Sequence, residues 1–243
     1  MTIALETIGL VKRFGGLVAT NDVSMRLQEG SRHALIGPNG AGKTTFVSLI
    51  CGRLEPSSGT IAFDGKDITD LPAHRRVRQG IAYTFQITSV FANLTAYDNV
   101  ALAAQRVHED RHRRSERVLR RSILDALERT GLADRAAQQA KHLAYGHQRL
   151  LEIAMGLALQ PRLLILDEPT HGLSDGEIDN IVGLVKEIAR EATVLLIEHN
   201  MDCVMRLADS ITVMEAGRIL AEGAPAAIRA DARVQRAYLG TAA

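Results

Sequence analysis

The segment Gly37-Pro38-Asn39-Gly40-Ala41-Gly42-Lys43-Thr44, followed by Thr45, matches the pattern G-x-x-x-x-G-K-[ST]. Glycines let backbone N–H groups turn inward around phosphate oxygens at the positive end of a following helix. Lys43 is then placed to supply a point charge to the β- and γ-phosphates of a nucleotide, and the Thr44 hydroxyl can ligate Mg²⁺. A second chemical pair, Asp167-Glu168, closes the apolar run Leu163-Leu164-Ile165-Leu166. Asp167 suits a metal held through water, and Glu168 can take a proton from an attacking water. Taken alone, either motif has a plainer explanation: a glycine-rich turn with an exposed lysine, or two solvated acids at a strand end. Together they point to one phosphate-handling site.

Such a site needs elements to position it. Ser31 to Ile36 is predicted as a buried strand feeding the glycine-rich loop, with a helix from Lys43 to about Cys51. Four apolar residues in a row before Asp167 suit a strand buried on both faces, so the carboxylates emerge at the C-terminal sheet edge, where α/β folds bind ligands. Thr193–Ile197 and Ile211–Met214 are predicted as further strands, with a helix from Asp175 to Arg190. Asp64-Gly65 and Ala216-Gly217 are hairpin turns. Strand-helix alternation argues for a largely parallel sheet. From Thr95 to Gln160 alanine, leucine and arginine dominate without a convincing strand, and Pro161 blocks further helix. The expected organisation is one domain over 1–243, with an α/β core from 1–94 and 161–243 and a helical insert over 95–160.

Composition sets limits. The chain has 243 residues, 46% of them hydrophobic, enough for a sizeable core. Its longest apolar run, Ile153–Leu159, is far short of the ~20 residues of a membrane helix, and Met1–Glu6 does not look like a signal peptide. A soluble, cytosolic chain is expected. A net charge of +1 gives no reason to expect nucleic acid. Cys51 and Cys203 read as reduced apolar side chains, and the eight histidines are scattered along the chain.

Further motifs then fall in a known order. Leu143-Ala144-Tyr145-Gly146-His147-Gln148 resembles the Leu-Ser-Gly-Gly-Gln signature of ABC ATPases, Gln86 in Thr84-Phe85-Gln86 resembles the Q-loop glutamine, Gly172-Leu173-Ser174-Asp175 the D-loop, and His199 the switch histidine. The resemblance covers essentially the whole chain. It implies a nucleotide-binding domain with a RecA-like parallel-sheet core, an antiparallel β portion near the N-terminus and an inserted helical subdomain. It further implies ATP and Mg²⁺ as cofactors, and a head-to-tail dimer in which one subunit's phosphate loop faces the other's signature. In that arrangement Phe14 would stack on adenine. Ala144, Tyr145 and Gly146 would face the partner's nucleotide, and Gln86 would sense Mg²⁺ and relay the site's state to permease subunits. His199 would bond the γ-phosphate and hold Glu168 and the water in register. A plain core role for Phe14, or solvated polar roles for Gln86 and His199, are the alternatives.

Leu-Ala-Tyr-Gly, with Leu151-Glu152-Ile153-Ala154 and Arg236-Ala237-Tyr238-Leu239-Gly240, resembles the ATPases of branched-chain amino acid importers. That branch implies a second ATPase subunit, identical or different, transmembrane permeases and, indirectly, a solute-binding protein, with the chain peripheral on the cytoplasmic face of the inner membrane. Export ATPases of the lipopolysaccharide type end similarly, and a soluble ABC protein is a more distant alternative. Three features depart from the pattern. Ala144 lacks the usual serine hydroxyl, leaving backbone N–H groups and a helix N-terminus as donors. His147 and His171 stand near the expected dimer interface, either as pH-responsive groups or as neutral hydrogen-bonding side chains. Arg106 to Arg121 carries seven arginines, two histidines and three acids, a solvated helix face or a contact for anionic headgroups.

Overall fold

The computed structural model describes residues 2–84, 89–108 and 116–239, the side chains of 106–108 and 239 excepted. Phe85, Gln86 and the middle of the arginine run, 109–115, lie outside the described residues.

The chain opens with a long hairpin, β1 (Ile3–Phe14) and β2 (Leu17–Gln28), turning at Gly15-Gly16. β3 (Arg32–Ile36) leads through the glycine-rich loop into α1 (Lys43–Ile50). β4 (Ser58–Phe63) and β5 (Lys66–Asp67) form the second hairpin, whose turn residues Asp64 and Gly65 both have positive φ, as a tight two-residue turn requires. After α2 (Ala73–Gln79) and β6 (Ile81–Thr84) come three helices, α3 (Ala96–His108), α4 (Glu116–Arg129) and α5 (Tyr145–Ala158). β7 (Leu163–Asp167), α6 (Asp175–Ile188), β8 (Thr193–Ile197), α7 (Met201–Leu207), β9 (Ser210–Glu215) and β10 (Arg218–Gly223) follow, and α8 (Pro225–Ala230) and α9 (Ala232–Leu239) close the chain.

These strands build two sheets. An antiparallel sheet runs β2-β1-β4-β5, and a six-stranded sheet runs β10-β9-β3-β8-β7-β6, in which only β10 is antiparallel. Side-chain alternation on β7 shows why the larger sheet needs cover on both faces. Leu163 and Ile165 join the core under α1 and the antiparallel sheet, whereas Leu164 and Leu166 join the core with α5 and α6. All four are fully buried, each contributing about 1.5–3 kcal/mol relative to exposure. A third cluster packs α7, α8 and α9 on β3 and β9.

Helix ends follow local chemistry. α6 starts with a reciprocal capping box between Ser174 and Glu177, and α7 with the Asn200 side chain accepting the Cys203 N–H at 3.1 Å. The helix expected to reach Arg190 stops at Ile188, where Ala189 caps it and Arg190 turns back onto Glu187. Both cysteines are free and buried, and burial pushes each thiol up to about 12.

Candidate active site

The parallel order brings four connections to one edge of the large sheet. β3, the central strand between β8 and β9, delivers the glycine-rich loop there. Gly37 has φ 151° and packs so closely that a Cβ would lie 2.1 Å from the Met214 carbonyl oxygen. At Gly42, φ 97°, a Cβ would lie 2.3 Å from the Ala19 carbonyl oxygen. Only glycine fits either place, which explains two fixed points of the motif. Between them Lys43 folds over the loop, its Nζ donating to the carbonyls of Gly37 at 2.7 Å and Pro38 at 3.1 Å. Burial lowers the Lys43 pKa, and the Glu168 and Asp167 charges oppose that shift.

A cleft of about 490 Å³ opens beside this loop. Asn39 to Thr45, Asp167 and Glu168 line it, with Leu17, Val18 and Ala19 from the hairpin and Ala216-Gly217 from the β9–β10 turn. A wider groove of about 870 Å³ between α7 and α9 contains none of these loop residues, so volume does not mark the chemistry.

Asp167 ends β7 and is 2% exposed. Burial pushes its carboxyl up. The Tyr83 hydroxyl, donating to Asp167 Oδ2 at 2.6 Å, pulls the other way. Tyr83 comes from β6, the strand paired beside β7. Glu168 follows with φ 48°, a left-handed conformation costly for a non-glycine residue, by about 1–3 kcal/mol. Its N–H bonds to the Ile197 carbonyl at 2.8 Å, and the turn that follows bonds the His171 N–H to its own carbonyl at 3.1 Å. This bend aims the carboxylate out of the sheet edge. His199 Nδ1 lies 3.5 Å from Glu168 Oε1, and His171 Nδ1 lies 3.9 Å from Oε2.

Three residues that composition and spacing did not single out as site residues hold this edge together. Arg149, on α5 and 1% exposed, donates to the backbone carbonyls of Glu168 at 2.8 Å and Asp167 at 3.2 Å. It also pairs with buried Glu152 at 2.7 Å, and Glu152 accepts the Ser89 N–H at 2.5 Å. Glu198, 1% exposed, accepts from the Thr170 hydroxyl at 2.5 Å and from the N–H groups of Thr170, His199 and Asn200. A charged residue in an α5 stretch otherwise reading as core was the one available signal for Arg149.

The remaining expected residues lie elsewhere. Phe14 is 46% exposed at the hairpin tip, with Lys12 Nζ 5.3 Å from its ring centroid, which rules out a core role. Ala144 is the N-cap of α5 and exposed, and none of Leu143 to His147 lines the phosphate-loop cleft. The signature segment instead touches the D-loop: a Cβ at Gly146 would meet Glu177 Oε1 at 2.1 Å, and one at Gly172 would meet the Tyr145 ring at 3.1 Å. His171, expected near a dimer interface, sits beside Glu168 and His199 of its own chain.

A family model described as ABC transporter matches residues 20–171. The chain belongs to the ABC transporter family. A second model, described as branched-chain amino acid ATP-binding cassette transporter, matches residues 218–243 of this ABC cassette. The cassette is 42% identical to the high-affinity branched-chain amino acid transport ATP-binding protein BraF of Pseudomonas aeruginosa, over 98% of both chains. It is 39% identical to LivG of Escherichia coli over the same shares. Among solved structures, the ADP conformation of an ATP-binding cassette of an ABC transporter superposes with a TM-score of 0.88 at 29% identity, covering 99% of this chain and 100% of that one. A nucleotide-free cassette gives 0.87 at 28% identity, covering 97% and 98%. The ABC cassette binds nucleotide and hydrolyses ATP.

Proposed function

We propose that this ABC cassette powers import of branched-chain amino acids, as one of a pair of ATPase subunits on the cytoplasmic face of the membrane. No helix among the described residues is long and apolar enough to cross a membrane, so the passage for the solute would be supplied by permease subunits. A solute-binding protein would deliver the amino acid. The names of the relatives and the match at 218–243 favour import over the export alternative.

The observation that carries the hydrolytic part is the convergence of Lys43, Thr44, Asp167, Glu168 and His199 on one sheet edge. Thr44 and Asp167 both line one cleft, and a hydroxyl and a carboxylate are donors that suit a hard cation such as Mg²⁺, which would neutralise phosphate charge there. In this reading the loop amides of Gly37 to Thr45 and Lys43 cradle the β- and γ-phosphates. Glu168 takes the proton of the attacking water, and His199 holds its carboxylate in place. Gln86 completes the metal and water contacts, and Phe14 stacks on the base. The signature residues Ala144, Tyr145 and Gly146 do not reach this chain's own cleft, which supports their meeting the nucleotide of a second subunit. The helical insert expected over 95–160 would dock against the permeases.

The test is uptake of labelled leucine, isoleucine and valine in cells lacking the gene, complemented by wild type or Glu168→Gln. Uptake should return with wild type only. Normal uptake without the gene would overturn the importer reading. Single-turnover phosphate release by Glu168→Gln within about tenfold of wild type, roughly 1.4 kcal/mol of barrier, would overturn the general-base role.

A further inference from the structure

β7 and β8 are parallel neighbours, with Asp167 paired to Ile197, so the residues leaving both strands emerge side by side. That brings together two histidines that are far apart in sequence. Besides the two contacts to Glu168, the rings of His171 and His199 stand 5.7 Å apart between centroids, inclined at 63°. One ligand atom from each of Glu168, His171 and His199 lies within 4.8 Å of the others.

We propose that Glu168, His171 and His199 form a binding site for a transition-metal dication of the Zn²⁺ class. Two imidazoles and a carboxylate are a donor set that favours Zn²⁺ or Co²⁺ over Mg²⁺, which prefers oxygen ligands and keeps its waters. With metal–ligand bonds of about 2.0–2.2 Å, tetrahedral ligand atoms stand roughly 3.4 Å apart. The contacts of His199 to Oε1 at 3.5 Å and of His171 to Oε2 at 3.9 Å, one to each carboxylate oxygen, are near that spacing. Closing the rest takes only rotation of two rings whose side chains are 58% and 53% exposed, about a Glu168 side chain that is 15% exposed. The fourth position opens to solvent. Neither cysteine competes, since both thiols are buried.

Occupancy would have a consequence that rests on the roles given above to Glu168 and His199. A metal held there takes the carboxylate that accepts the water's proton and the histidine that steadies it. Nucleotide would still bind on the glycine-rich loop, but turnover would stop.

The test uses the full chain without nucleotide, titrated with Zn²⁺ by calorimetry in millimolar Mg²⁺, and with Co²⁺ by visible absorption. One equivalent per chain is expected, with the Co²⁺ bands of a four-coordinate site. Affinity should fall at least tenfold in His171→Ala and in His171→Gln, with unchanged circular dichroism as the check on folding. Equal Zn²⁺ affinity and stoichiometry in either folded variant would overturn the site. ATP turnover is then followed at buffered free Zn²⁺, each variant against its own metal-free rate. Wild type should be inhibited at the Zn²⁺ concentration found by calorimetry and recover with chelator, and His171→Ala should resist. Zn²⁺ binding that depends on His171 without inhibition would leave the site standing and remove Glu168 and His199 from hydrolysis.

Discussion

Replacing Arg149 with methionine removes the cation paired with Glu152 on α5 and the donor to the carbonyls of Asp167 and Glu168. Glu152 is 5% exposed, so its carboxylate would be left buried with the Ser89 N–H but without its arginine. Breaking a buried pair from one side costs about 3–5 kcal/mol. At about 2–4 °C per kcal/mol for a chain of this size, the melting temperature should fall by roughly 6–20 °C. The double variant Arg149→Met/Glu152→Met removes both members of the pair, so neither charge is left buried without the other. It should therefore be more stable than Arg149→Met alone. A pH series gives a second readout. Burial already raises the Glu152 pKa above its ordinary 4.5, while Ser89 and Arg149 oppose the rise. Without Arg149 the folded pKa climbs further, so the folded state holds a proton that the unfolded state has lost. The deficit of Arg149→Met relative to wild type should be small below about pH 4.5 and grow as pH rises. Urea unfolding of the nucleotide-free chain measures both. A double variant whose loss equals the sum of the two singles within about 0.5 kcal/mol would refute the coupling.

Lys43→Ala should abolish tight ATP binding, and unchanged affinity for labelled nucleotide would remove Lys43 from the site. The purified chain should hydrolyse ATP weakly, with a specific rate that rises with protein concentration, because its own signature segment does not line its own cleft. A flat rate across the range where light scattering shows association would count against a shared site. His33 is buried between the Ser210 and Thr212 hydroxyls, 2.8 Å from each, and burial lowers its pKa from 6.5 to about 4. Unfolded, it takes up a proton near pH 6.5, whereas folded it stays neutral until about pH 4. Stability is thus full above pH 6.5 and falls by about 3 kcal/mol as pH drops to 4. His33→Gln should flatten that part of the urea-midpoint profile, and an unchanged slope would assign it to other groups.

What could be read from the residues was local. The glycine-rich loop carries its own reason in Gly37 and Gly42, where no Cβ fits, and the apolar run before Asp167 states its two-sided burial directly. Two of the three hairpin turns were legible, because Asp64-Gly65 and Ala216-Gly217 need positive φ, whereas the turn at Gly15-Gly16 was not singled out. β6 and α2 left little trace, being only four and seven residues long and without clean periodicity. The supporting residues were out of reach for a different reason. Glu198 looks like one more acid at a strand end, and its four donors come from two separate turns that only strand pairing brings together. His171 and His199 likewise became neighbours through β7–β8 adjacency, which spacing along the chain does not encode. The signature segment was legible only through resemblance, because a loop that does not line its own chain's cleft carries no local chemistry to read.

These contacts have a mechanical consequence. α5 begins at the signature segment, and Arg149, one turn in, grips the carbonyls of Asp167 and Glu168. Glu152, on the next turn of the same face, grips the Ser89 N–H, just beyond the stretch that contains Gln86. Tyr145 and Gly146 press on Gly172 and Glu177, and Glu177 closes the cap of α6. α5 therefore cannot shift against β7 without breaking the hydrogen bonds from the buried Arg149 guanidinium to two backbone carbonyls, worth about 1.5–3 kcal/mol each for a charged donor and comparable to typical coupling energies between sites of about 1–3 kcal/mol. Within one chain, then, the helix that starts at the signature segment is tied to the strand that ends in Asp167 and Glu168. The link between them is the buried Arg149 side chain and the two backbone carbonyls it holds.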